Sequence, residues 1–190
     1  MCENAACAEM TGIAMTTLKA LGPRICLLGP SNSGKSTLAE AISRKQGLPA
    51  VHLDQLYHTP YTDWEPRPEA EFLRLHQQTI QQEKWIIEGN YTRSLGQRLD
   101  RATGFILLDA STITSLFRYL RRTWWEHDRR GGLEGGKDSV KWRMIHHIVG
   151  VTRSNRRRYA EMFERIDLPK VKLATIAELK WFYRQERLRR

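Results

Sequence analysis

The chain has 190 residues, of which 41% are hydrophobic and 27% charged, and carries a formal net charge of +10. That length suits one domain with a substantial core. No apolar run approaches the ~20 residues of a membrane-spanning helix, so a helical membrane protein is excluded. The cysteines Cys2, Cys7 and Cys26 are odd in number and lack zinc-ligand spacing, so a cytoplasmic protein with reduced thiols is expected.

Residues 1–22 hold Glu3 and Glu9 and no Lys or Arg before Lys19, unlike a secretory signal. They read as a loosely ordered leader in which Met15 is a candidate start, followed by one domain over 23–190. Arg24-Ile25-Cys26-Leu27-Leu28 is an apolar run of strand length. It feeds Gly29-Pro30-Ser31-Asn32-Ser33-Gly34-Lys35-Ser36-Thr37, which satisfies G-x-x-x-x-G-K-[ST] and opens a helix-forming run. A chance match in a Gly/Ser turn is the alternative, and the flanking strand and helix argue against it. In such a loop the backbone N–H groups and the helix N-terminus cradle a polyphosphate. Lys35 then reaches the β/γ-phosphates and the Ser36 hydroxyl ligates Mg2+, making ATP and Mg2+ the expected cofactors.

Gly47-Leu48-Pro49 ends the first helix, and Ala50-Val51-His52-Leu53-Asp54 reads as a second strand ending in a carboxylate. An insertion over about 55–84 begins with a polar, aromatic loop bearing Tyr57, Tyr61 and Trp64. It continues in a helix opened by Pro68-Glu69, with Phe72, Leu75, Thr79 and Ile80 on one face. Trp85-Ile86-Ile87-Glu88 is a third strand stopped by Gly89-Asn90. A short helix follows with Leu95 and Leu99, and Arg93, Arg98 and Arg101 lie alongside. Phe105 to Asp109 is a fourth strand, and Ser111 or Thr112 caps a helix carrying Arg118, Arg121 and Arg122. The glycine-rich run 129–137 lies in a lid expected over about 118–140, ahead of a helical region from about 139 to 166. Val171 to Ala174 is a fifth strand, and Thr175 caps the last helix. Short strands alternating with longer helices predict an α/β fold, a parallel sheet wrapped by helices.

Ligands of open α/β sheets bind beyond the carboxyl ends of the strands. Asp54 is therefore the first choice to face a phosphoryl acceptor, against the alternative of a turn-capping Asp. Glu88 and Asp109 compete to hold Mg2+. Arg118 and Arg122, four apart on one helix face, are read as clamps on the transferring phosphate, with an exposed basic face as the alternative. Arg129 and Arg130 on the glycine-rich flap are read as additions to them. Tyr57, Trp64, Asn90 and Arg93 complete the acceptor side.

The order of these features resembles a known family. The phosphate loop, His52-Leu53-Asp54-x-x-Tyr57, Trp64, Trp85-Ile86-Ile87-Glu88-Gly89-Asn90-Tyr91, and Leu108-Asp109 followed by R-x-x-R-R are similar to adenylate-kinase-like proteins known as DNA topology modulation proteins. The likeness spans about residues 24–183, and W-I-I-[DE]-G-N-Y is its most specific part. It implies a P-loop, nucleoside-monophosphate-kinase-like fold with five parallel strands in the order 2-3-1-4-5. It further implies ATP as donor, an acceptor region after strand two, an arginine-bearing lid, and adenine between Arg118 and Ala174-Thr175. Glu88 stands where Asp is expected, which lengthens the reach toward Mg2+. The short lid has no zinc-binding cysteines.

The expected function is transfer of the γ-phosphoryl of Mg·ATP to a small-molecule acceptor, a nucleotide or similar compound. A sugar, a shikimate-like acid or an antibiotic are other acceptors, although Gly89-Asn90-Tyr91 stands where shikimate kinases carry a glycine triplet. A regulator that contacts DNA through its Arg-rich surface is the alternative from another class.

Overall fold

The computed structural model describes residues 16–109 and 152–189. The expectations placed on residues 1–15, on Arg118, Arg122, Arg129 and Arg130, and on the lid lie outside the described residues.

β1 (Arg24–Leu28) leads through the phosphate loop to α1 (Lys35–Gln46), then to β2 (Ala50–His52) and a single-turn α2 (Leu53–Tyr57). α3 (Glu69–Ile80), β3 (Trp85–Glu88), α4 (Leu95–Arg101) and β4 (Gly104–Leu108) follow. The described C-terminal part adds α5 (Thr152–Arg165), β5 (Lys170–Leu173) and α6 (Ile176–Gln185). The five strands form one sheet in the order β2-β3-β1-β4-β5, and every pairing is parallel.

Both faces of the sheet are covered, which is why its strands read as continuous apolar runs rather than alternating ones. Ile25 and Leu27 turn to one face and pack with Leu38, Ile42, Leu179 and Phe182 of α1 and α6. Cys26 and Leu28 turn to the other and pack with Phe72, Leu95, Tyr159 and Phe163 of α3, α4 and α5. The period of two along β1 thus feeds two cores from one strand.

Three sequence expectations need correction. Asp54 does not end strand two: β2 stops at His52, and Asp54 sits in the first turn of α2. β2 is an edge strand whose ladder partner β3 ends at Glu88, opposite His52. With no partner left, the backbone satisfies its groups by coiling. The segment before β1 is also not loose throughout, because Leu18 and Leu21 are buried in the first core. On α3 the buried stripe is Phe72, His76 and Ile80, so a histidine takes the place expected for Leu75.

Candidate functional site

The phosphate loop links β1 to α1 through a left-handed Asn32 (φ 59°) and a left-handed Gly34 (φ 97°) at the helix N-cap. Positive φ at alternate positions turns successive N–H groups inward, which is how a backbone makes an anion-binding nest. Gly29 opens the loop at φ 151°, and a Cβ there would run into the Leu108 carbonyl and side chain. Lys35 folds back across the loop and donates from Nζ to the Pro30 carbonyl at 3.0 Å. Its ammonium therefore hangs over the nest.

Ser36 and Glu88 come together as the sequence suggested. The Ser36 hydroxyl donates to Glu88 Oε1 at 2.8 Å. The pair offers two oxygen donors beside a phosphate nest, which suits Mg2+, a hard cation that takes few protein ligands and completes its shell from phosphate and water. The residues present fit that ion. Asp109 is engaged elsewhere: Arg156 Nε donates to its Oδ1 at 2.6 Å, and Lys172 lies 3.8 Å from its Oδ2. It anchors α5 and β5 to the end of β4, so of the two candidates Glu88 is the one beside the loop.

Glu88 has a second partner to which the sequence reading gave no role. His52 Nδ1 donates to the same Oε1 at 2.9 Å, and His52 Nε2 lies 3.1 Å from Glu40 Oε1. The signal was available in the topology, since parallel pairing sets His52 directly beside Glu88. Burial opposes the charged imidazole, but the hydrogen bonds and charges of Glu88 and Glu40 outweigh it and raise the His52 pKa. Burial likewise opposes the Glu88 carboxylate, yet His52, the Lys35 charge and the Ser36 hydroxyl hold its pKa below the usual value. The result is a hydrogen-bonded row from Glu40 through His52 to Glu88 and Ser36, in which His52 and Glu88 each favour the other's charged form.

Beyond the end of β3, Tyr91 donates its hydroxyl to Asp54 Oδ1 at 2.7 Å. Burial first, then the charge and hydrogen bond of Asp54, push the Tyr91 hydroxyl far above its ordinary value, so it stays a donor. Tyr91 packs at a tilt against Tyr57 at 4.8 Å and Phe72 at 5.4 Å between ring centres. The loop after α2 is held by Thr59 N–H on the Glu65 carbonyl and Arg67 N–H on the Tyr57 carbonyl. Trp64 meets His58 edge-on at 5.1 Å. Tyr57 and Tyr91 thus lie together with Tyr91 on Asp54, and Trp64 adjoins Tyr57 through His58. Arg93 sits on the rim instead, 76% exposed and paired with Glu69.

Asn90 is bound to the phosphate loop itself. Its Nδ2 donates to the Gly29 carbonyl at 2.8 Å, and its Oδ1 accepts from the Gly29 N–H at 3.3 Å. Thr175 caps α6 by accepting from Glu178 N–H at 3.1 Å. It lines a small hollow with Ser33, Leu108, Leu173 and Ile176, next to the phosphate loop.

A 2-3-1-4-5 parallel sheet with this loop after its first strand decides the architecture. The chain has the P-loop kinase fold. No protein-family model matches the sequence, and no curated protein matches it. Among solved structures, a shikimate kinase from Bacteroides thetaiotaomicron is 15% identical, with 86% of this chain and 95% of that chain covered and a TM-score of 0.49. A gluconokinase from Sinorhizobium meliloti 1021 is 17% identical over 88% and 95%, with a TM-score of 0.48. A shikimate kinase from Aquifex aeolicus is 18% identical over 85% and 93%, with a TM-score of 0.49. The fold assignment rests on the strand order and the loop, not on these likenesses.

Proposed function

We propose that the chain is an ATP-dependent phosphotransferase acting on a small hydroxyl- or phosphate-bearing acceptor. The observation that carries this reading is the meeting of Lys35, Ser36 and Glu88 around the backbone nest at the carboxyl end of β1. ATP with Mg2+ would supply the phosphoryl group and neutralise charge on its oxygens. The chain's own part is then positioning and electrostatics. The nest N–H groups and Lys35 hold the donor phosphates. Ser36 and Glu88 hold the metal, with Glu88 kept ionised by His52 and Lys35. Asp54, oriented through Oδ1 by Tyr91, takes the proton of the acceptor oxygen as its new bond to the γ-phosphorus forms and the bond from that phosphorus to the β–γ bridging oxygen breaks, releasing ADP. Tyr57 and Trp64 wall the acceptor, and Arg118 and Arg122 are the proposed clamps on the transferring charge. Thr175 and Ser33 flank the proposed adenine position.

ADP release, measured across nucleoside monophosphates, sugars and small alcohols, tests the reading. An acceptor that stimulates ADP formation, with the stimulation lost in Lys35→Ala, is the expected result. A flat response to every acceptor would contradict it. The charge of +10, with Arg157 and Arg158 exposed on α5, supports a second reading in which DNA is bound through the basic surface. Binding of a DNA duplex that weakens steeply with salt is its mark.

A further inference from the structure

Arg98 is the one arginine whose side chain is wholly buried among the described residues, at 0% exposure. It lies on α4, a helix whose other arginine, Arg101, is exposed. Among the described residues no carboxylate pairs with it. Placing a guanidinium inside a protein without an opposite charge is costly, so the groups it touches matter. Its Nη1 donates to the Gly89 carbonyl at 2.9 Å, and its Nη2 donates to the Tyr91 carbonyl at 3.0 Å. These two carbonyls flank Asn90. The planar fork of an arginine puts a separate nitrogen on each carbonyl, a fixed geometry that the single nitrogen of an ammonium does not reproduce.

The segment pinned in this way reaches both halves of the site. Asn90 uses both ends of its amide on the N–H and carbonyl of Gly29, extending the β3–β1 pairing by a side chain. Tyr91 holds Asp54. We infer that Arg98 is a positioning residue: by fixing the Gly89 and Tyr91 carbonyls it sets Asn90 on the mouth of the phosphate loop and Tyr91 on the acceptor-facing carboxylate. Donor and acceptor sites are thereby held in register from one buried point, although Arg98 touches neither ligand. The link to catalysis rests on the phosphotransferase reading; the link to the loop does not.

Amide hydrogen exchange of the ligand-free protein, followed by NMR, tests the link to the loop. In Arg98→Lys the Gly29 amide should exchange faster by about tenfold, the loss expected for one hydrogen bond, while Leu27 and Ile106 amides stay within about twofold. Calorimetric titration with ATP should show weaker binding in Arg98→Lys and in Asn90→Ala, and the double variant should bind no more weakly than the weaker single variant. An unchanged Gly29 amide, a uniform loss of protection across the sheet, or additive losses of ATP affinity would overturn the assignment. If Arg98→Lys does not fold, Arg98→Gln, which has one donor nitrogen where Arg98 uses two, is read by the same exchange criteria. If neither folds, Asn90→Ala must free the Gly29 amide while the Arg98 side-chain N–H protons stay protected; loss of both protections overturns it. Absence of any ATP binding by the unaltered protein would remove the phosphotransferase reading and leave the exchange result to decide on Arg98.

Discussion

Replacing His52 with Gln removes the cation from the centre of the row that ends on Ser36. His52 gives one hydrogen bond to Glu88 and lies within hydrogen-bond distance of Glu40, and hydrogen bonds to charged groups contribute ~1.5–3 kcal/mol each. The Glu40 side is 32% exposed and is discounted for solvent screening. Gln restores one hydrogen bond of about 1 kcal/mol, so the net loss is about 2 kcal/mol. The loss depends on pH in a defined way. The folded His52 pKa is raised above 6.5, so the ion pair's contribution is complete below pH 6.5 and fades as pH rises through the folded value. The folded Glu88 pKa is lowered below 4.5, so its contribution is complete above pH 4.5 and fades as pH falls through the folded value. Urea unfolding of both proteins from pH 4 to 9 should therefore give the widest gap in stability between about pH 4.5 and 6.5, narrowing on the alkaline side. A gap that is constant up to pH 9, or grows there, would refute the His52–Glu88 ion pair.

Three further outcomes follow from single side chains. Gly29→Ala should cost about 3 kcal/mol in urea unfolding, because its φ of 151° and the Leu108 carbonyl leave no place for a Cβ; a loss within experimental error would contradict the packing of loop on β4. His76 is buried, and desolvation, then the Arg98 charge, lower its pKa from 6.5 to about 4. The unfolded chain therefore takes up that proton first, and as pH falls from 6.5 to about 4 His76 should remove up to ~3 kcal/mol of stability. A His76→Leu variant should lack that part of the slope, and an unchanged slope would contradict it. Tyr91→Phe should lower acceptor-stimulated ADP formation by roughly tenfold through loss of the hydrogen bond to Asp54, with ATP affinity nearly unchanged in calorimetry. An equal fall in ATP affinity would place Tyr91 on the donor side instead.

The strands and the phosphate loop were legible because burial on both faces of a parallel sheet leaves a run such as Ile25 to Leu28 apolar at every position. The end of β2 was not, since whether Leu53 and Asp54 continue a strand depends on how far β3 runs beside them. His52 was hidden for the same reason: its chemistry comes from Glu88, which adjoins it only through strand pairing. His76 and Arg98 look like surface residues of short amphipathic helices, and no local pattern shows that both are buried. The pairing of Asp109 with Arg156, far along the chain, is likewise set by tertiary packing and leaves no local signal.

The proposed activity depends on a backbone nest and one ammonium gripping a polyphosphate. Calorimetric titration of Mg·ATP into the unaltered protein and into Lys35→Ala, with thermal unfolding to confirm that both are folded, addresses it most directly. Saturable binding by the unaltered protein, weakened on the order of a hundredfold in the variant, is the predicted result. No heat of binding in the unaltered protein, or equal affinity in both, would contradict it.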